Sequence, residues 1–301
     1  EIDLEVAKEL GMEASGLWAT TRAGALRRLG EFLKEHFAAF GPYEDATSSE
    51  SWSMHHSLIS PYLNNGLLHP GEVVQAAIKR YRKGGIPISS AEGFIRQIIG
   101  WREYINGMYW YLGEDYREKN GLSAKRKLLP LYTDPQKTKM NCVSSEVSAV
   151  LQRGWTHHIP RLMILSNLAL LTGVNPQQFL DWMREQFVDA TEWVMVPNVI
   201  GMGVHADNGT MMTKPYASGG AYISRMTNYC KGCEYDPKLR VGENACPFTT
   251  LYWDFLDRNL EAFSKNHRMS QQIGGLGRLS DLPELKKRAR TVLAGLEAGE
   301  I

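Results

Sequence analysis

The chain has 301 residues, 43% of them hydrophobic and 22% charged, enough for one large domain or two ordinary ones with a full core. This composition excludes a disordered, collagen-like or disulfide-dense chain, and no run of about 18 apolar residues marks a membrane span. Net charge is +1, from 34 basic and 33 acidic residues, so any nucleic-acid contact must come from local patches rather than a global field.

The chain opens at Glu1 without an initiator Met or a signal-like apolar segment, which reads as a processed, trimmed or fragmentary cytoplasmic protein. Over 17–40, Leu26, Leu29, Leu33 and Phe37 recur at helical spacing, and Pro42 follows as a stop signal. The stretch 41–53 is rich in Ser and Thr and reads as irregular. Over 91–112, Phe94, Ile98, Trp101, Ile105 and Met108 share one helical face, with Ser89 or Ser90 as the cap. Residues 161–171 are almost unbroken apolar sequence, a buried helix entered at Pro160. The five glycines of 201–220 follow neither helical nor strand period and predict a long loop, a kind of segment often functional. Tyr252, Phe255, Leu256, Leu260 and Phe263 predict a helix over 248–263. Alternating strand patterns are scarce, so the expected fold is all-α, one domain over 1–273 with a peripheral tail over 274–301.

Chemistry-bearing residues fall into three groups. Cys230-Lys231-Gly232-Cys233 is a Cys-x-x-Cys turn, Cys246 precedes Pro247, and Cys142 lies far upstream. Four thiolates suit zinc or an iron–sulfur cluster equally on spacing, whereas disulfides need an oxidising compartment and a thioredoxin-like motif needs a strand-to-helix setting. In WSMHHSLISPYLNNGLLHP (52–70), Ser57, Ser60 and the intervening amides suit either a capped helix start or a grip on phosphate oxygens. A Gly-x-Gly-x-x-Gly fingerprint after a strand is absent. In GWTHHIPR (154–161), His157 and His158 stand at the entrance of the buried helix, as proton donors or as capping and core histidines. Arg161 there needs an acidic partner, for which Asp189 and Glu192 are candidates.

Taken together, Ser57-Leu58-Ile59-Ser60-Pro61, Gly66-Leu67-Leu68-His69-Pro70, Trp101-Arg102-Glu103-Tyr104, Gly154-Trp155-Thr156-His157-His158 through Arg161, Asp181-Trp182 and Asp189 resemble the helical flavin domain of photolyases and cryptochromes. With its four cysteines the chain is similar to the bacterial iron–sulfur branch, the prokaryotic (6-4) photolyases and related cryptochromes, over nearly all of its length. The resemblance implies FAD, with Tyr43 and Ser57, Leu58, Ile59 and Ser60 at its phosphates or ribose. Arg161, Asp189 and Asn198 would surround the isoalloxazine. It also implies a [4Fe–4S] cluster on Cys142, Cys230, Cys233 and Cys246.

The implied reaction is light-driven electron transfer from reduced FAD to a lesion flipped out of UV-damaged DNA. His158 first and His157 second would supply the proton for (6-4) repair, Tyr216 would line the lesion, and Glu103 would accept from a base edge. Trp182, Trp193 and Tyr222 are expected to carry electrons to the flavin. Phosphate contacts are expected from Lys79, Arg80, Arg82 and Lys83, from Lys125, Arg126 and Lys127, and from Lys286, Lys287, Arg288 and Arg290. No strand–helix alternation precedes these motifs, so the N-terminal α/β domain of such proteins and its antenna chromophore are not expected here, and the chain is expected to be a monomer off the membrane. A cryptochrome-type photoreceptor without repair activity, and an iron–sulfur nucleic-acid module lacking flavin, are the alternative functions.

Overall fold

The apolar stripe of the first predicted helix forms α1 (Arg22–Glu31) and α2 (Phe37–Tyr43), joined by a π-helical turn at Phe32–His36. This structure is a computed structural model describing residues 16–301. Thr21 caps α1, accepting the Gly24 amide at 3.2 Å. Ala25, Leu29, Phe32, Phe37 and Phe40 are buried, but Leu26 lies off the stripe at 43% exposed. Pro42 sits inside the last turn of α2 rather than beyond it.

After α3 (Ser60–Asn64), α4 (Pro70–Arg82) opens with a capping box in which His69 accepts the Gly71 amide and Glu72 accepts the His69 amide. Glu72 also binds Arg22 of α1 at 2.6 Å. The helix predicted over 91–112 is α5 (Ile88–Arg96), a π segment Gln97–Arg102, and α6 (Glu103–Leu112). Its N-cap is Pro87, not a serine. Ser90 is instead buried and stitches α5 to α2, donating to the Ala38 carbonyl at 2.8 Å and accepting the Gly41 amide at 2.9 Å. A side chain at Gly41 would lie 2.7 Å from the Ser90 nitrogen, so only glycine permits this approach.

The second half holds α7 (Asn141–Arg153), a π segment Pro160–Ser166 continuing as α8 (Asn167–Thr172), then α9 (Pro176–Gln186) and α10 (Glu192–Val196). A further π segment, Pro197–Gly203, leads into the predicted irregular stretch, which ends at α11 (Gly220–Met226). The helix predicted over 248–263 breaks into α12 (Pro247–Arg258) and α13 (Leu260–Ser264) at Asn259, whose side chain donates to the Phe255 carbonyl at 2.9 Å. α14 (Ser270–Leu276) and α15 (Leu282–Ala298) follow. Among the described residues there is no sheet, only isolated bridges such as Thr47 with Thr227.

The expectation of a peripheral tail fails. Leu285, Ala289, Val292 and Leu296 of α15 are fully buried, the last three within the main core, and burying the three large side chains among them is worth about 5 to 9 kcal/mol. Two apolar clusters result, one from the helices up to Ile98 and one from Tyr116 onward. The segments 44–60 and 155–189 meet across the seam between them, which is where the candidate site lies.

Candidate functional site

Arg161 enters the π segment above the seam, and its guanidinium grips the buried Asp189 carboxylate through two bonds of 2.9 Å. Ser60 donates to the same carboxylate at 2.6 Å, the Asn64 side chain donates to the Asp189 carbonyl at 2.7 Å, and Arg161 Nε donates to the Thr156 carbonyl at 2.6 Å. The guanidinium lies 4.2 Å over the Phe187 ring. Of the two expected acidic partners, Asp189 is the one engaged, while Glu192 binds Arg117 and Arg184.

Ser60 is therefore committed to Asp189 rather than free to meet a phosphate. Ser57 is half-buried, and Leu58 and Ile59 are buried, with Leu58 held in the left-handed region at φ 55°. Tyr43 is exposed against the His55 ring, 5.3 Å away, and Asn198 donates back to the Val194 carbonyl at 2.8 Å. Neither is joined by a hydrogen bond or ring contact to the Arg161–Asp189 pair. A cavity of about 380 Å³ lined by residues including Arg126, Thr172, Arg258 and Asn259 touches none of these flavin candidates. Near the pair, however, His56 Nε2, Trp155 Nε1 and Thr191 Oγ1 are buried without partners among the described residues. Such groups ordinarily find a bond, and a polar cofactor bound at this seam would supply one. The residues present thus fit a flavin.

Beside the pair lie three histidine rings. His157 is buried, its Nε2 is 3.0 Å from Thr47 Oγ1, and its Nδ1 accepts the Ile159 amide at 3.4 Å. His158 is half-exposed and its Nε2 is 3.0 Å from Asp45 Oδ1. His56 stacks on His157 at 4.3 Å and meets His158 edge-on at 5.7 Å. Burial, with the neighbouring His158, drives the His56 pKa down to about 3, and burial with His56 drives His157 lower still. Of the expected proton donors, His157 is thus fixed as a neutral ring, and His158 is the one facing solvent.

Glu146 of α7 is a buried carboxyl that the sequence reading did not single out. Thr156 and Tyr229 each donate to it at 2.6 Å, and burial raises its pKa against those two bonds. It shares a cavity of about 110 Å³ with Thr47, Thr156 and His157. One turn earlier on the same helix is Cys142. All four cysteines are free thiols, with Cys142 and Cys246 buried. Burial raises the pKa of Cys142, and the charges of Cys246, Cys230 and Cys233 raise it further, so the four lie within mutual electrostatic reach. No three of their sulfurs come within 4.8 Å of one another, wider than the roughly 3.8 Å edge implied by Zn–S bonds of about 2.3 Å. The thiols do not form a closed single-ion tetrahedron.

The remaining candidates are dispersed. Tyr216 is half-buried in the irregular stretch without a hydrogen bond or ring contact among the described residues. Glu103 is exposed and bonded to Arg102 at 2.7 Å. Trp182 is buried, donates to the Tyr132 carbonyl at 2.9 Å and packs at 6.1 Å from Phe187. Trp193 lies 4.8 Å from the Arg102 guanidinium and Tyr222 5.5 Å from that of Arg225, and no ring contact joins the three into one chain. In the basic patches, Arg80 binds the Leu33 and Gly84 carbonyls, Arg126 pairs with Glu297, Lys286 pairs with Asp257 at 2.6 Å, and Arg288 binds the Glu243 carbonyl. These four side chains are engaged by partners within the chain rather than pointing freely to solvent. No described helix is long and apolar enough to cross a membrane.

No protein-family model matches the sequence. A protein of Agrobacterium fabrum named "(6-4) photolyase" is 45% identical over 282 residues, covering 93% of this chain and 55% of that protein. An uncharacterised protein of Acanthamoeba polyphaga mimivirus, R853, is 35% identical over 113 residues, 37% of this chain and 85% of its own length. The crystal structure of a bacterial class III photolyase from Agrobacterium tumefaciens superposes with TM-score 0.56 at 18% identity, covering 94% of this chain and 57% of that one, and shows the shared fold. The chain thus spans about half the length of the photolyase it matches. With identity of 45% sustained across 93% of its residues, this chain belongs to the bacterial photolyase/cryptochrome family.

Proposed function

We propose that the chain provides the flavin- and lesion-binding region of a light-driven DNA photolyase acting on (6-4) photoproducts. The observation that carries this reading is the half-exposed His158, hydrogen-bonded to Asp45 and set two residues past Thr156, whose carbonyl anchors Arg161. This supports a proton donor at a solvent-facing opening beside the seam that holds Ser60, Arg161 and Asp189.

FAD, when bound, supplies the light-absorbing electron donor. The Arg161 guanidinium, fixed by Asp189, Thr156 and Phe187, gives that seam a positive charge held in one orientation. Asp45, 3.0 Å from Nε2, orients His158, so that the ring can deliver a proton to the oxygen substituent that moves during repair. His157, locked between Thr47 and Ile159, holds its neighbour in place rather than carrying the proton itself. Cys142, Cys230, Cys233 and Cys246 are proposed as the ligands of a [4Fe–4S] cluster. Support comes from their mutual proximity at a spacing wider than one ion takes.

Illuminating the reduced, flavin-loaded protein with an oligonucleotide bearing one (6-4) photoproduct tests the reading. His158→Ala is expected to keep flavin photoreduction and abolish repair. Repair at the wild-type rate in that variant removes His158 from the proton-donor role.

A further inference from the structure

The cavity of about 380 Å³ lies at the opposite end of the buried helix from the seam. Arg161 enters that helix and Thr172 ends it, about 15 Å further along the axis. Lys125, Arg126 and Arg258 line the cavity, and no carboxylate among the described residues does. Its volume is in the range that holds small organic molecules, and Leu122, Val174, Val204, Ala206 and Phe255 give it apolar walls beside the three cations.

Carbonyls at the end of α8 hold the two guanidiniums in place. Arg126 Nε donates to the Thr172 carbonyl at 2.9 Å, and Arg258 Nη2 donates to the Leu171 carbonyl at 2.5 Å. Glu297 and the buried Asp254 bind Arg126 Nη1 and Arg258 Nε without lining the cavity themselves. One terminal nitrogen of each arginine, Arg126 Nη2 and Arg258 Nη1, keeps its hydrogens unpartnered among the described residues. Both arginines converge on Gly173, a residue of the cavity wall: the Arg126 amide donates to its carbonyl at 3.0 Å, and Arg258 Nη1 is 3.8 Å from where a Cβ would stand. Burial lowers the Arg126 pKa and the Arg258 charge lowers it further, a repulsion that an anion between the two relieves. Lys125, exposed at the rim, has no ion pair among the described residues. The loop that carries it is fixed in advance, since the Asn120 side chain accepts the Ala124 amide at 2.9 Å and donates to the Ala124 carbonyl at 2.8 Å. Donors held in position lose little freedom when a ligand arrives.

We propose that this cavity binds a small organic phosphate, a body of nucleoside size carrying one phosphate group. Arg126 Nη2, Arg258 Nη1 and Lys125 Nζ take the phosphate oxygens, for which guanidinium N–H groups are well suited, and the apolar walls take the body. A free phosphate leaves those walls unfilled, and a metal cation is repelled by the three positive charges. The site shares no lining residue with the Arg161–Asp189 seam, so it stands apart from the repair reading.

The test is equilibrium dialysis of the flavin-loaded protein in the dark against labelled AMP, with inorganic phosphate and adenosine as competitors. One equivalent of AMP is expected to bind with flavin content unchanged, and added salt is expected to weaken it. Each competitor is expected to bind about tenfold or more weakly than AMP. Lys125→Glu, at an exposed position that folding tolerates, and Arg258→Gln are each expected to weaken AMP by about tenfold or more. No AMP retained at about 1 mM, wild-type affinity in Lys125→Glu, or uptake that rises only as flavin is lost overturns the site. Adenosine competing as well as AMP overturns the phosphate contacts and with them the proposal. Duplex DNA binding that weakens in Lys125→Glu without any AMP binding returns these cations to DNA contact and overturns it as well.

Discussion

Replacing Asp189 with Asn keeps the shape of the side chain and removes the charge on which the seam is built. In the native protein that carboxylate is 5% exposed and takes two bonds from Arg161 at 2.9 Å and one from Ser60 at 2.6 Å. The variant leaves a guanidinium, only 18% exposed, above Phe187 without its counter-charge. Breaking a buried pair from one side costs about 3–5 kcal/mol, and the partial exposure of Arg161 sets the expectation near the lower bound, about 3 kcal/mol. In a chain of this size a kilocalorie moves Tm by about 2 °C, so Tm should fall by about 6 °C. The assay is thermal unfolding by circular dichroism at neutral pH, on protein without and with added FAD. The double variant Arg161→Met with Asp189→Leu removes both charges and should recover more than half of the loss, because the stranded charge and not the missing bond is the larger penalty. A Tm change below about 2 °C in Asp189→Asn, or a double variant less stable than the single one, refutes this account of the seam.

Acid should destabilise the fold through His56 and His157. Both are held neutral well below the unfolded histidine value of about 6.5, so the unfolded state gains protons first, and stability falls as pH drops from about 6.5 toward 3. The slope is on the order of 1 kcal/mol per pH unit for each ring, read from urea midpoints across that range, and His56→Gln should flatten it; an unchanged slope contradicts the assignment. Gly220→Ala should damage the cysteine site, since an added Cβ would stand 2.8 Å from Cys246 Sγ and 2.8 Å from Thr249 Oγ1. Iron per chain should drop by more than half, and full iron content would show that the site tolerates the shift. Glu146→Gln should keep both hydrogen bonds in altered polarity and cost about 1–3 kcal/mol, whereas Glu146→Leu strands Thr156 and Tyr229 together; equal stability of the two variants would argue against the network.

Most of the helices were legible because their apolar residues keep helical spacing, as Ala25, Leu29, Phe32, Phe37 and Phe40 do from α1 to α2. Breaks were less legible. Asn259 ends α12 by a local side-chain bond that periodicity does not register, and Ser90 looks like a cap but is used to weld two helices. The segment 282–296 is legible as amphipathic, but an amphipathic stripe does not say which surface covers it, and Ala289, Val292 and Leu296 pack in the main core. At the site, the Arg161–Asp189 pair could be anticipated, since a buried arginine demands an acid. The stacking of His56 on His157 could not, because it depends on how two distant segments cross the seam. The His-His dipeptide at 55–56 and again at 157–158 is the one sequence signal for it. Glu146 left no signal beyond an acidic residue on an apolar helical face, four positions from Cys142.

The most direct test of the central claim is lesion loss in light. Reduced, flavin-loaded protein is mixed with a duplex carrying one (6-4) photoproduct, and the lesion is counted by chromatography after graded blue-light exposure. The account predicts loss that grows with photon dose in the wild type and stops in His158→Ala. A lesion count that stays constant in flavin-loaded wild-type protein at every dose would contradict it.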